Sequence, residues 1–172
     1  MAANKRHEAA ERREAAAAAA AKKKREERLA ALAAARTTYQ GCLGEIDALM
    51  TDLTNIDARL DVGLTEMQLS DLVGQASIDY SKIDVDALGT GRCLEAAVRL
   101  ENAFNKYNAS VQKWNDCIFD YGCDNDSIQP SLQSQWLKAS TAVGRAQDMV
   151  DSLNPDDPNY VPEDAASGGS HT

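Results

Sequence analysis

From residue 93 to residue 121, apolar side chains recur at alternating steps of four and three: Cys93, Ala97, Leu100, Phe104, Tyr107, Val111, Trp114, Ile118 and Tyr121. Only an α-helix brings side chains at that spacing onto one face. A stripe kept up for eight turns has to be covered by other helices, because an uncovered one would leave a long apolar surface in water. A helix over residues 92–121 would be roughly 45 Å long.

Three further stripes supply the cover. Leu43, Ile46, Met50, Leu53, Ile56 and Leu60 mark a helix over residues 37–60, with Gly63 placed to end it in a left-handed conformation. Leu69, Leu72, Val73, Ala76, Tyr80 and Ile83 mark the next helix, opened by a Thr65–Gln68 capping box. Leu132, Trp136, Ala139, Val143, Ala146, Val150 and Leu153 mark the last, which starts near Ser127 or Pro130 and closes at Asn154-Pro155. Four amphipathic segments with short links predict an all-α, antiparallel four-helix bundle with crossing angles near ~20°.

The chemistry of the chain reverses near residue 36. Residues 1–36 hold ten Lys/Arg and five Glu, whereas residues 37–172 hold eight Lys/Arg and twenty-two Asp/Glu. Residues 1–36 consist almost wholly of Ala, Glu, Lys and Arg, without Gly, Pro or Cys, the composition of a long solvated helix. The pairs Glu8 with Arg12, Lys22 with Glu26 and Lys23 with Glu27 are spaced to support it. Its apolar residues are almost all Ala, with Leu29 and Leu32 near the end, so little holds it against the bundle. Three regions follow: a basic Ala-rich helical extension over 1–36, an acidic bundle over 37–153, and a disordered tail over 154–172 rich in Pro, acids, Gly and Ser. Residues 1–36 solvate as a stalk in the leading reading. Coiled-coil self-association or partner binding through them comes next. Contact with nucleic acid or an anionic membrane through residues 22–28 is weakened by Glu26 and Glu27. The acidic domain itself lacks the Lys/Arg needed to displace phosphate counterions, so no nucleic-acid partner is expected for it.

The bundle decides among the three ways of pairing four cysteines. Cys42 and Cys93 open the first and third core helices, which start at the same end. Cys117 lies twenty-four residues beyond Cys93, roughly 36 Å away along a helix, with Cys123 in the loop just past it. Disulfide partners need Cα atoms within about 7 Å, which leaves Cys42–Cys93 and Cys117–Cys123. The competing state is four reduced, buried thiols. Disulfides call for an oxidising compartment. The chain as written shows no signal-peptide h-region or apolar run long enough to cross a membrane, so a missing N-terminal signal or anchor is expected.

Catalytic and metal chemistry find little purchase. The two histidines, His7 and His171, fall in the two terminal regions, so none is expected in the bundle as general base or metal ligand. Asp116, Asp120, Asp124 and Asp126 cluster near the end of the third core helix, but the glycine and distal Glu of a calcium loop are lacking. A solvated acidic loop is the better reading. Gly89-Thr90-Gly91-Arg92 precedes a helix without the Lys-Ser/Thr of a phosphate loop, and reads as a connector. Asn108-Ala109-Ser110 and Asn125-Asp126-Ser127 match the glycosylation sequon, a triplet common by chance. Trp114 and Trp136 fall on core stripes of neighbouring helices, where packing is favoured over a ligand box. No enzyme activity, cofactor or metal is expected.

Several short segments carry a resemblance: Gln40-Gly41-Cys42-Leu43, Leu60-Asp61-Val62-Gly63-Leu64, Cys93-Leu94, Leu100-Glu101-Asn102-Ala103-Phe104, Trp114-Asn115-Asp116-Cys117-Ile118 and Gln135-Trp136-Leu137-Lys138-Ala139. Residues 40–153 resemble the extracytoplasmic helical domain of uncharacterised actinobacterial membrane-anchored proteins. The resemblance implies export, paired cysteines, and a basic, Ala-rich cytoplasmic flank followed by a membrane span. This chain keeps the flank and lacks the span. The resulting expectation is a non-enzymatic, extracytoplasmic helical-bundle interaction module at the cell surface, close to a membrane through a missing anchor and acting on a protein partner. The alternative is a cytoplasmic or virion coiled-coil adaptor.

Overall fold

No Pro interrupts the chain across residue 36, and the apolar stripe of the first core helix begins before the basic extension ends. The two segments accordingly form one helix. In the structure, a computed structural model that describes residues 2–158, 160 and 162 (without the side chains of residues 2–6), α1 spans Ala2–Val62. It is followed by α2, Glu66–Tyr80, α3, Arg92–Phe119, and α4, Asn125–Asp151. No strand occurs among the described residues, and the protein is all-α. The change in charge near residue 36 thus falls within α1 and not at a break in the backbone. At 61 residues α1 is about 90 Å long. Residues 7–31 of it are exposed throughout, and its inward-facing positions begin at Leu32, Ala35 and Tyr39.

The links follow from local chemistry. Gly63 takes a φ of 95°, and its N–H donates to the Arg59 carbonyl at 3.1 Å, closing α1. The expected capping box opens α2: the Gln68 N–H donates to Thr65 Oγ1 at 3.3 Å and the Thr65 N–H donates to Gln68 Oε1 at 2.9 Å. Gly91, at a φ of 95°, precedes α3 in a backbone conformation that a side chain would resist. Asp124 caps α4, its side chain accepting from the Asp126 N–H at 3.3 Å. The helix therefore starts at Asn125, before the start expected near Ser127 or Pro130. Pro130 lies inside its second turn, where it removes a single backbone hydrogen bond.

All four helices pack together. The pair α3 and α4 is the most extensive, α1 touches each of the others, and α2 packs on α1 and α3. Ile46, Leu49, Leu53, Ile56, Leu69, Ala76, Leu100, Ala103, Tyr107, Ala139 and Ala146 are fully excluded from water. Tyr80 stacks on Phe104 with ring centroids 5.2 Å apart. Cys42 is bonded to Cys93 with Cα atoms 5.7 Å apart, which puts the first packed turns of α1 and the start of α3 at one end of the molecule, the near end. Cys117 is bonded to Cys123 with Cα atoms 5.1 Å apart, at the far end.

Beyond α4, residues 154–158 form hydrogen-bonded turns, and Asp156 pairs with Arg36 of α1. The remainder of the tail expected to be disordered, apart from residues 160 and 162, lies outside the described residues, as does His171. No helix among the described residues is long and apolar enough to cross a membrane.

Candidate functional site at the overhanging tip of α3 and α4

The long apolar stripe of α3 is not covered to its end. Val111 and Cys117 are buried, but Ile118 is about half exposed, Phe119 is 80% exposed and Tyr121 is fully exposed. The helix stops at Phe119, so Tyr121 stands in the loop and not on a helical face. For Ile118 the reason is a mismatch in length. With Cys42 and Cys93 level, α1 continues twenty residues to Val62, while α3 continues twenty-six to Phe119. Six extra residues carry the tip of α3 roughly 9 Å past the end of α1. The hairpin of α3 and α4 therefore overhangs the rest of the bundle. Its overhanging part has its own small interior, Cys117 and Leu132, buried apart from the main core.

The Cys117–Cys123 bond closes the loop Ile118-Phe119-Asp120-Tyr121-Gly122 onto the last turn of α3. Within it the Gly122 N–H donates to Asp120 Oδ1 at 2.9 Å, and the Cys123 N–H donates to the Asp120 carbonyl at 3.0 Å. Three large apolar side chains are thus held outward on a loop with little freedom. Asp116, Asp120, Asp124 and Asp126 are all exposed around them, as expected of a solvated acidic loop. Two of the four have structural work, Asp124 as the α4 cap and Asp120 as the loop acceptor. No group of three metal-ligating side chains comes together among the described residues.

Trp114 and Trp136 sit at the base of the overhang, rings tilted at 46° with centroids 6.0 Å apart. The Trp136 indole N–H donates to Ser110 Oγ at 3.0 Å, and the buried Ser110 hydroxyl donates to the Tyr107 carbonyl at 2.7 Å. Both rings pack against the core, as expected, yet each also borders open space. A cleft of about 260 Å³ lies between Trp114, Asp126, Gln129, Leu132 and Trp136. On the other side of Trp136, a cleft of about 280 Å³ runs between α1 and α4, lined by Asp57, Leu60, Asp61, Gln133, Leu137 and Ser140. Asp57 accepts from Ser140 Oγ at 2.8 Å. Tyr107 lies behind it, fully buried, its hydroxyl without a hydrogen-bond partner. Burial first, and then the charge of Asp57, push that hydroxyl well above the ordinary tyrosine range.

Elsewhere the chemistry is sparser. A third cleft of about 300 Å³ at the near end, beside Ile83, Val85, Leu94 and Val98, has Glu101 on its wall, already accepting from the Tyr80 hydroxyl at 2.8 Å. Between α1 and α2, Asp52 faces Asp79. Burial above all, and the Asp79 carboxylate next, raise the pKa of Asp52, while the Lys82 ammonium 2.6 Å from Asp79 holds Asp79 below the usual range. Asp52 Oδ2 is buried without a hydrogen-bond partner; a proton shared with Asp79 would satisfy it. His7 pairs with Glu11 on the exposed stretch of α1, far from any of these groups.

The exposed tip is the feature that the stripe alone concealed. Its signal was present: once Cys42 is level with Cys93, counting residues to Gly63 and to the Cys117–Cys123 loop gives the overhang. No protein-family model matches the chain, and neither the curated proteins nor the solved structures offer a match.

Proposed function

We propose that this protein is a non-enzymatic interaction module, exported and held at the cell surface, that presents the overhanging tip of α3 and α4 to a protein partner. The observation that carries the reading is the exposure of Ile118, Phe119 and Tyr121 on a loop closed by a disulfide. Aromatic side chains held rigidly in water are the residues that most often supply binding energy at protein interfaces. A closed loop loses less conformational entropy on binding than an open one. The exposed acids beside them repel anionic lipid, which favours a protein surface over a membrane as the partner.

Export is supported by the two disulfides, which persist in oxidising compartments and are rare in the cytosol. The resemblance to actinobacterial membrane-anchored proteins points the same way. In this arrangement α1 serves as a stalk that carries the bundle away from its attachment, with the tip at the opposite end.

The test has two parts. A photo-reactive phenylalanine at position 119 of the full chain, expressed in its native cells, is expected to form a defined protein adduct. The same group at Arg145, exposed on α4, is not. Phe119→Ser/Tyr121→Ser removes the ligand surface and should abolish co-purification of the adduct partner with the melting temperature unchanged. No adduct, or equal adducts at both positions, rejects the tip as the docking site. Four free thiols by mass spectrometry in freshly purified native protein reject the exported setting.

A further inference from the structure

The cleft between α1 and α4 has a composition of its own. Asp57 and Asp61 stand on one wall, the Trp136 indole and Leu137 on the other, and Leu60 between them. Leu137 is 70% exposed and Asp61 is exposed, so the cleft opens to water. Two carboxylates beside an indole face and leucine side chains suit a cationic side chain with a long apolar stem, such as that of arginine or lysine. This surface is separate from the disulfide-closed tip, and the inference does not depend on the reading given to that tip.

The same chain carries a matching surface. On the exposed stretch of α1, Lys22 pairs with Glu26 and Lys23 with Glu27, at 3.9 and 3.8 Å. Arg25 and Arg28 make no ion pair among the described residues. Both are exposed, and at steps of three and four they share a face with Leu29, 57% exposed. Basic and apolar groups therefore lie together on the arm, as acidic and apolar groups do in the cleft. The two surfaces of one molecule cannot meet. Arg28 and Asp61 are thirty-three residues apart on one continuous helix, roughly 50 Å.

We propose that the exposed arm of one copy, through Arg25, Arg28 and Leu29, docks in the Asp57, Asp61 and Trp136 cleft of a second copy. The contact is heterologous, since it joins two different patches. It covers part of an Ala-rich helix that otherwise stands alone in water, where helices depend on their own weak propensity. It also brings the basic arm, net positive, against the acidic bundle, net negative, so that attraction between copies falls as salt rises.

The test is sedimentation of the full chain at rising concentration in low and high salt. Association at low salt that weakens at high salt is expected. Arg25→Glu/Arg28→Glu alters only exposed arm residues, and Asp61→Lys alters an exposed residue at the cleft mouth; each should weaken association by about tenfold or more. Combining all three substitutions should restore much of it. Circular-dichroism melts of each variant establish that the bundle stays folded. A chain that remains monomeric at low salt at every concentration overturns the proposal. So does association that persists in both charge-reversed variants, since helices zipped along another face would be indifferent to these residues. Loss in the single reversals without recovery in the combination overturns the direct pairing.

Discussion

Breaking the Cys42–Cys93 bond should cost the protein more than any other single covalent change. The bond joins residues 51 apart in sequence, and it is buried, with both sulfurs inside the main core. In the chain-entropy picture a closed loop of that size restricts the unfolded chain by about 4 kcal/mol, against about 2 kcal/mol for the loop of six closed by Cys117–Cys123. Urea unfolding of the Cys117→Ala/Cys123→Ala protein, oxidised and then reduced, isolates the long bond, because no side chain changes between the two measurements. With an unfolding slope of about 2 kcal/mol per molar urea, the midpoint should drop by roughly 2 M on reduction. The same experiment in the Cys42→Ala/Cys93→Ala protein should move the midpoint about half as far. Helical circular dichroism follows both. A larger loss from the short loop than from the long one would refute the reasoning, since loop closure orders the two in only one way. A loss below about 1 kcal/mol for the long loop would mean that the unfolded chain already holds its ends together.

Three further outcomes follow from individual contacts. Thr65→Ala removes the reciprocal cap of α2 and should cost about 1 kcal/mol in urea unfolding, with Thr65→Ser restoring most of it. Asp52 has a folded pKa above its unfolded value, through burial first and Asp79 second, so its ionised form weakens the fold at neutral pH and ceases to do so as pH falls below the unfolded carboxylate value near ~3.9. Asp52→Asn should therefore raise the melting temperature at neutral pH, with the gain vanishing in acid; a gain that is constant with pH would show that charge is not its source. Trp136→Phe leaves Ser110 without the indole donor and should cost about 1–2 kcal/mol, and Trp136→Phe should also change near-ultraviolet dichroism through loss of the Trp114 contact.

The helices were legible in the sequence because periodicity is a local property. Leu69, Val73 and Ala76, spaced four and three, are buried, and Leu132, Ala139, Val143, Ala146 and Val150 likewise. The capping box at Thr65 and the left-handed Gly63 were legible for the same reason: each depends on residues within one turn. The cysteine pairing needed one more step, the alternation of helix direction, and the structure joins the same pairs. Boundaries were less legible. Asp124 caps α4 three residues before Ser127, because a side-chain acceptor for the Asp126 N–H decides the start and Pro130 only tolerates it. The Asp52 and Asp79 pair was invisible, since nothing in either stripe states which polar residues of α1 and α2 will face each other.

The tip shows where a stripe ceases to be evidence of burial. A 3.6-residue period says which face of a helix is apolar, and nothing about how far the neighbouring helices extend along it. Coverage is a question of length and register, and here register is set by Cys42–Cys93. Measured from that bond, α1 ends about six residues short of α3, so Ile118, the last helical member of the stripe, lies beyond its end, and Phe119 and Tyr121 stand exposed next to it. Had α1 carried two more turns before Gly63, Ile118 would be core, and the second disulfide would close an ordinary loop. The overhang that carries the candidate site is thus the difference between two helix lengths. Extending α1 is accordingly the change most diagnostic of its role. Inserting seven residues of the stripe pattern between Leu60 and Asp61 should bury Ile118, raise the melting temperature and weaken adduct formation at position 119 by crowding the tip. Stabilisation with binding intact would place the function elsewhere on the molecule.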